Sequence, residues 1–307
     1  NEVNSFNDKQ IKKEIWTDRE GGQKIKMIKA MTDSEEGRRV ADSIIEQKNR
    51  FSLSNNDIAI LYRTNAQSRV FEEHLRKQNI PYKIYGGQSF YQRKEIKDTL
   101  AYFRMAVNSK DDEALKRVIN YPRRGIGQTT LAKLSKLAQD NDVSMWQCLS
   151  KIKLSARATN SIGKFVNIVK SSQEKAATSD AHKTALYITK KSGIIDLLKS
   201  ENTIEAQNRI ENINALLDGV QDFTEDDVLD EGEDINKQER TLANFLQTIS
   251  LMTDQDEKTE EAVDSVTMLS VHAAKGLEYK SVFVVGLEEN LFPSYMSLSS
   301  PDQLDEE

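Results

Sequence analysis

Cysteine is almost missing from this chain. Cys148 stands alone among 307 residues, so no internal disulfide can form, and the composition suits a reducing cytosol. Histidine is nearly as scarce. His74, His182 and His272 lie far apart, and with a single cysteine they exclude a conventional structural zinc site; no metal ligand set is expected. No uninterrupted apolar run reaches the roughly 20 residues that cross a bilayer, and Asn1 opens no signal-peptide pattern. A membrane partner is therefore not expected, and the expected location is cytoplasmic.

What is present is charge, unevenly spread. Charged residues make up 30% of the chain and hydrophobic ones 37%, which suits a helix-rich protein with real cores. The formal net charge of −6 hides a polarity. Residues 223–264 hold 14 acidic and 3 basic side chains, whereas residues 63–136 hold 16 basic and 7 acidic. A phosphate-binding surface is built in the second way, although a solvated helical face often shows a similar excess. With 307 residues, two domains are the prior.

The order of periodicities refines that prior. Residues 1–13 are polar and aperiodic, as expected of the tail of a preceding segment. Gln23–Lys29 alternates and predicts a strand. Asp33-Ser-Glu-Glu opens a helix whose Val40, Ile44 and Ile45 recur at helical spacing. Asp57–Tyr62 and Pro81–Tyr85 predict further strands around a helix that carries Val70, Phe71 and Leu75. Strand–helix–strand alternation implies a parallel sheet with right-handed crossovers. From Tyr91 to about Met252 the periods are helical, near Ile96–Phe103, Leu115–Ile119, Leu131–Ala138, Val143–Ile152, Ile162–Ala176, Thr184–Lys191, Ile204–Phe223 and Thr241–Met252. Thr224–Asp234 and Thr253–Asp264 predict acidic, solvated connectors. Strands return at Val266–Val271 and Ser281–Leu287. The expected fold class is α/β: residues 1–86 and 263–307 form one discontinuous sheet domain, and residues 87–262 form an all-helical domain inserted into it. The crossings at Gly86-Gly87 and Asp254–Asp264 would then form a hinge.

Four stretches carry chemistry. Arg63-Thr-Asn-Ala-Gln-Ser-Arg69 follows a strand directly, where side chains and helix amides can bind phosphate oxygens. A polar helix cap explains Thr64 and Ser68 equally well; Arg63 and Asn65 favour function. Phe90–Lys97 mixes aromatics with cations, a pattern able to stack bases, but a helix start with Phe90 and Tyr91 in the core accounts for it better. Asn120–Thr130 places Arg123, Arg124, Gly125, Gly127, Thr129 and Thr130 in a turn between helices, a sequence-independent grip on a DNA backbone. A plain connection would need neither two glycines nor two arginines. Finally, His272-Ala-Ala-Lys-Gly-Leu-Glu278 ends a strand, and ligands in open α/β sheets bind at carboxyl strand ends.

Taken together, Leu61–Arg69, Phe90–Asp98, Arg124–Gly127 and Val271–Glu278, continued by Glu288-Glu289 and Leu291-Phe-Pro293, resemble the UvrD/PcrA family of superfamily 1 DNA helicases. The resemblance spans essentially the whole chain. It implies a second RecA-like motor domain with its helical insertion, from an enzyme that moves 3′→5′ on single-stranded DNA in repair or replication, driven by ATP with Mg2+. It implies single-strand contacts from Arg63, Asn65 and His272, and nucleotide contacts from Lys275, Gly276 and Glu278. Duplex contacts at a fork would come from Arg123, Arg124, Gly125, Gly127, Thr129 and Thr130. The implied partners are single-stranded and forked DNA, the N-terminal motor domain in cis, and repair or transcription proteins through the insertion; the implied setting is the bacterial nucleoid.

No G-x-x-x-x-G-K-[ST] and no Asp-Glu strand end precede these motifs. The expectation is of a fragment: no complete catalytic set, no ATP or Mg2+ bound on its own, and no activity without the N-terminal domain. The alternative is a DNA- or protein-binding regulatory module without ATPase activity.

Overall fold

The computed structural model describes residues 16, 18, 21–225, 240–259, 264–289 and 291–293. Its sheet has four parallel strands in the order β2-β3-β1-β4. These are β1 (Ile58–Tyr62), β2 (Tyr82–Ile84), β3 (Val266–Ser270) and β4 (Ser281–Val284). The last two strands to be made flank the first: β3 pairs Ala59 with Thr267, and β4 pairs Ile58 with Ser281. Both neighbours of β1 therefore come from more than 200 positions away. Helix α1 (Asp33–Phe51) starts because the Thr32 hydroxyl accepts from the Glu35 amide and acidic residues fill the first turn. It packs against α2 (Ser68–Lys77). Val40, Ala41 and Ile44 join Ile58, Ile60, Phe71, Leu75, Val266 and Met268 in one apolar cluster.

The chain then leaves the sheet. Nine helices follow among the described residues: α3 (Lys94–Val107), α4 (Asp112–Val118), α5 (Gln128–Asp140), α6 (Met145–Cys148), α7 (Ala156–Thr178), α8 (Ala181–Ser192), α9 (Ile194–Glu201), α10 (Ile204–Glu225) and α11 (Leu242–Thr259). They enclose a separate apolar cluster, which runs from Phe90 and Phe103 through Leu134, Phe165 and Ile188 to Leu216 and Phe245. An α/β sheet unit is thus interrupted by helices with a core of their own.

Three expectations fail. Residues 23–29 form no strand among the described residues, and Ile25 is 101% exposed and Met27 94% exposed. Alternation describes a chain ready to pair, but a strand forms only where a neighbour meets its amides and carbonyls. Thr253–Thr259 is the end of α11 rather than a connector, because acidic side chains do not stop a helix; Thr224 and Glu225 likewise end α10. The rest of the two acidic stretches, 226–234 and 260–263, lies outside the described residues. Helix α9 was not foreseen, and the helix expected near Val143–Ile152 is a single turn of four residues.

Candidate nucleic-acid and nucleotide site

Parallel strands bring their carboxyl ends to one edge. Tyr62 and Ser270 are register partners at the ends of β1 and β3. The Val271 amide donates to the Tyr62 carbonyl at 2.9 Å, so His272 is set beside Arg63. His272 and Asn65 are exposed and Arg63 is half-buried. The three candidate single-strand residues thus follow the carboxyl ends of two neighbouring strands.

The turn that carries Asn65 is held from within. Residues Asn65–Gln67 form one 3-10 turn. The Gln67 carboxamide folds back to accept from the amides of Arg63 at 3.0 Å and Thr64 at 2.8 Å. Those two amides, at the strand end, are therefore occupied. Gly286, at φ +67°, leaves the space: a Cβ there would overlap the Gln67 amide. Gly286→Ala is expected to cost about 1–3 kcal/mol from positive φ and displacement of Gln67. A urea melt would measure it, and a loss under about 0.5 kcal/mol would show the turn does not depend on this packing.

Arg69, the last residue of that stretch, does not face a ligand. It is 3% exposed and pairs with Glu73 at 3.1 Å, Asp222 at 3.2 Å and Asp33 at 3.4 Å. Those carboxylates hold its pKa above the usual arginine value against the opposing effect of burial. Its guanidinium lies against Gly219 of α10, where a Cβ would approach Nη1 to 2.8 Å.

Between β3 and β4 the chain must return from the carboxyl end of the sheet to the amino end. Residues 271–276 form tight turns, begun by the Ser270 hydroxyl accepting from Ala273 at 3.2 Å and closed by Gly276 at φ +84°. At the far end, Lys280 pairs with Asp57, just before β1, at 3.0 Å. Lys275, Gly276 and Glu278 are exposed along this return path. A five-residue strand spans roughly 15 Å, so the path leads from the His272 edge toward the opposite end of the sheet. The groups fit half of a nucleotide site: an exposed ammonium, a backbone open to close approach at Gly276, and a carboxylate able to accept from hydroxyls.

The Asn120–Thr130 segment is organised by one side chain. Asn120 Oδ1 accepts from the amides of Arg124 at 2.8 Å and Ile126 at 3.1 Å, and Ile126 is buried. The Tyr121–Pro122 peptide is cis. Gly125 takes φ +76° and is exposed, as are Arg123, Gly127 and Thr129; Thr130 is half-buried. Gly127 caps α5 without a side chain, and no acidic residue occupies the first turn, so the positive end of the helix is left uncompensated. Arg124 turns inward. It donates to the carbonyls of Val118, Pro122 and Ser192 at 3.0–3.1 Å and to the Tyr102 hydroxyl at 2.7 Å. Burial pushes the pKa of Tyr102 up to about 12, although Arg124 opposes it.

A cleft of about 280 Å3 separates the Thr64–Gln67 turn from α10. Glu36, Glu211 and Asp218 line it, and burial raises all three pKa values. Among the described residues no three His, Cys, Asp or Glu side chains converge as metal ligands. Sequence reasoning missed the polar joint behind this cleft, in which Arg93 meets Asn212 of α10; no local pattern marks a contact between residues 119 positions apart.

Comparison with known proteins places the whole chain. A family described as UvrD-like helicase C-terminal domain matches residues 1–307. Two relatives named ATP-dependent DNA helicase PcrA, from Staphylococcus aureus (strain COL) and Staphylococcus epidermidis, are 39% and 38% identical over 305 residues. Each alignment covers 98% of this chain and 40% of the relative, so the chain spans less than half the length of the proteins it matches.

Proposed function

The chain belongs to the UvrD-like helicase C-terminal domain family, and from that membership we propose that it is the C-terminal motor region of an ATP-dependent DNA helicase or translocase that moves 3′→5′ in repair or replication. The observation that carries this reading is the placement of Arg63, Asn65 and His272 just beyond the carboxyl ends of two neighbouring strands. An exposed amide and imidazole beside a guanidinium suit the phosphates and bases of a single strand. Residues 1–86 and 263–307 act as the motor unit, and residues 87–262 act as an accessory unit.

Lys275, Gly276 and Glu278 would hold one side of ATP, with Glu278 toward the ribose. The phosphate cradle and Mg2+ would come from an N-terminal motor domain in cis. Bound there, ATP supplies the free energy that drives translocation. Arg123, Gly125, Gly127 and Thr129 would rest on duplex DNA at a fork, with α5 directing its amino end at a phosphate.

The test is a binding titration of the 307-residue chain on single-stranded and forked DNA. Asn65→Ala should weaken single-strand binding about tenfold, the loss of one charge-assisted hydrogen bond. Arg123→Ala should weaken only duplex-containing DNA and flatten its salt dependence. DNA-stimulated ATP hydrolysis should be undetectable. Turnover by this chain, or single-strand affinity indifferent to Asn65, would sink the reading. The exposed hairpin favours a second reading, a regulatory DNA- or protein-binding module. Fork binding that needs Arg123 while single strands do not bind at all would select it.

A further inference from the structure

Arg93 touches both the Asn65 turn and helix α10 through the same atom. It precedes α3 and is 9% exposed. Its Nη1 donates to the Asn65 carbonyl at 3.0 Å and to Asn212 Oδ1 on α10 at 2.9 Å. Its Nη2 donates to the Ser68 hydroxyl at 2.8 Å, and its guanidinium lies 5.2 Å from the Phe90 ring centre.

These partners are all neutral. Compensating charge is reached through one intermediate on each side. Ser68 donates to Glu72 at 2.8 Å, and Asn212 donates to Glu95 at 2.6 Å. A buried guanidinium held by a direct carboxylate resists separation, because breaking the pair strands two charges. One held by an amide, a carbonyl and a hydroxyl depends instead on where those acceptors sit. Its planar fork accepts only a narrow range of positions. If α10 moves relative to the sheet unit, the Asn212 bond is lost, and the nitrogen that fixes Asn65 loses its second anchor.

We infer that Arg93 is a positioning residue that sets the Asn65 turn according to the seating of α10, so that grip on the single strand follows the placement of the helical insertion. The inference rests on the single-strand role proposed for Asn65. It adds a route by which the insertion reaches that site without touching the strand, a contiguous chain of Asn212, Arg93 and Asn65.

The experiment uses the 307-residue chain with Arg93→Lys, Asn212→Ala, the double variant, and Leu134→Ala as a control. Leu134 is fully buried in the helical core, remote in sequence from the turn. Lysine keeps the charge but not the fork. Hydrogen exchange of amides 65–68 should quicken about tenfold in Arg93→Lys and in Asn212→Ala, with β1 unchanged, matching the loss of about one hydrogen bond. Affinity for an oligothymidylate single strand should fall about fivefold in Arg93→Lys. The double variant should be no weaker than Arg93→Lys, because both changes cut one link. Leu134→Ala should destabilise the chain yet leave the affinity intact. Unchanged exchange at 65–68, additive losses in the double variant, or an equal affinity loss in Leu134→Ala would each overturn the inference. If Asn65→Ala itself leaves single-strand binding intact, the proposed single-strand role fails. The exchange measurement still decides whether Arg93 positions the turn.

Discussion

Glu72→Ala is expected to lower the unfolding free energy by about 3–5 kcal/mol, the cost of removing one partner from a buried charged network. Glu72 is fully buried on α2. Its Oε1 accepts from the Ser68 hydroxyl at 2.8 Å and the Phe90 amide at 3.1 Å. Its Oε2 accepts from the Ser89 hydroxyl at 2.6 Å, Arg76 at 3.1 Å and the Tyr82 hydroxyl at 3.2 Å. Burial pushes the carboxyl pKa up, while Arg76, Ser89, Arg93 and Ser68 pull it down. Alanine would leave the Phe90 amide and three hydroxyls without this acceptor, and the Arg76 guanidinium, 6% exposed, without its carboxylate. The carboxylate joins α2, β2 and the Ser89–Phe90 crossing into the helices. Its loss should therefore loosen the passage between the two cores as well as the sheet unit.

Two probes separate those effects. Trp146 stacks edge-on against Phe165 in the helical core, at 6.5 Å between ring centres, and reports that core by fluorescence. Hydrogen exchange at β1 reports the sheet. Urea unfolding of Glu72→Ala should shift the sheet transition further than the Trp146 transition. Glu72→Gln should be milder, since the amide oxygen still accepts from part of the set. A loss below about 1 kcal/mol in Glu72→Ala would mean that water replaces the carboxylate, and the account of this joint would fall.

Arg124→Ala should cost about 3 kcal/mol or more, whereas Arg123→Ala should stay within about 0.5 kcal/mol. The two arginines are neighbours with opposite duties. Arg124 satisfies three carbonyls and the Tyr102 hydroxyl, and its guanidinium lies 5.6 Å from the Phe165 ring centre. Each carbonyl left unmet on burial costs about 1–3 kcal/mol. Arg124→Lys should not restore the loss, because one ammonium cannot span Val118 on one side and Ser192 on the other. Arg123 is exposed and its removal should leave the hairpin standing. Thermal melts of the two single variants would decide the matter; equal melting temperatures would refute the division of labour. A joint Arg123/Arg124 variant would confuse loss of the proposed DNA contact with loss of the hairpin, so only Arg123→Ala tests the proposed duplex grip cleanly.

The same pair shows how far a sequence can be followed. Adjacent arginines in a glycine-bearing turn are alike in one dimension. Which one meets solvent depends on Tyr102 and Ser192, which come from other helices. Arg69 repeats the lesson. It reads as part of a phosphate-binding stretch, but Asp222, 153 positions later, draws it inside. Gln67 takes up the amides of Arg63 and Thr64, because Gly286, far along the chain, leaves it room.

Residue order alone determined the α/β class, the helical interruption between Gly87 and β3, and the family's motifs at Arg63–Arg69 and His272–Glu278. Those properties rest on local periodicity and on residue types at short spacing, which every chain carries within about ten residues. Tertiary structure alone decided that Gln23–Lys29 forms no strand among the described residues, that Arg69 is buried and Arg124 turns toward the helices, and that Arg93 bridges Asn65 to Asn212. Each of those outcomes depends on a partner far along the chain, and hydrogen-bond satisfaction of a buried group is a property of the folded surroundings rather than of the residue. The strand end at His272 takes its meaning from both. Its chemistry is written locally, but its place beside Arg63 exists only because β3 returns to pair with β1.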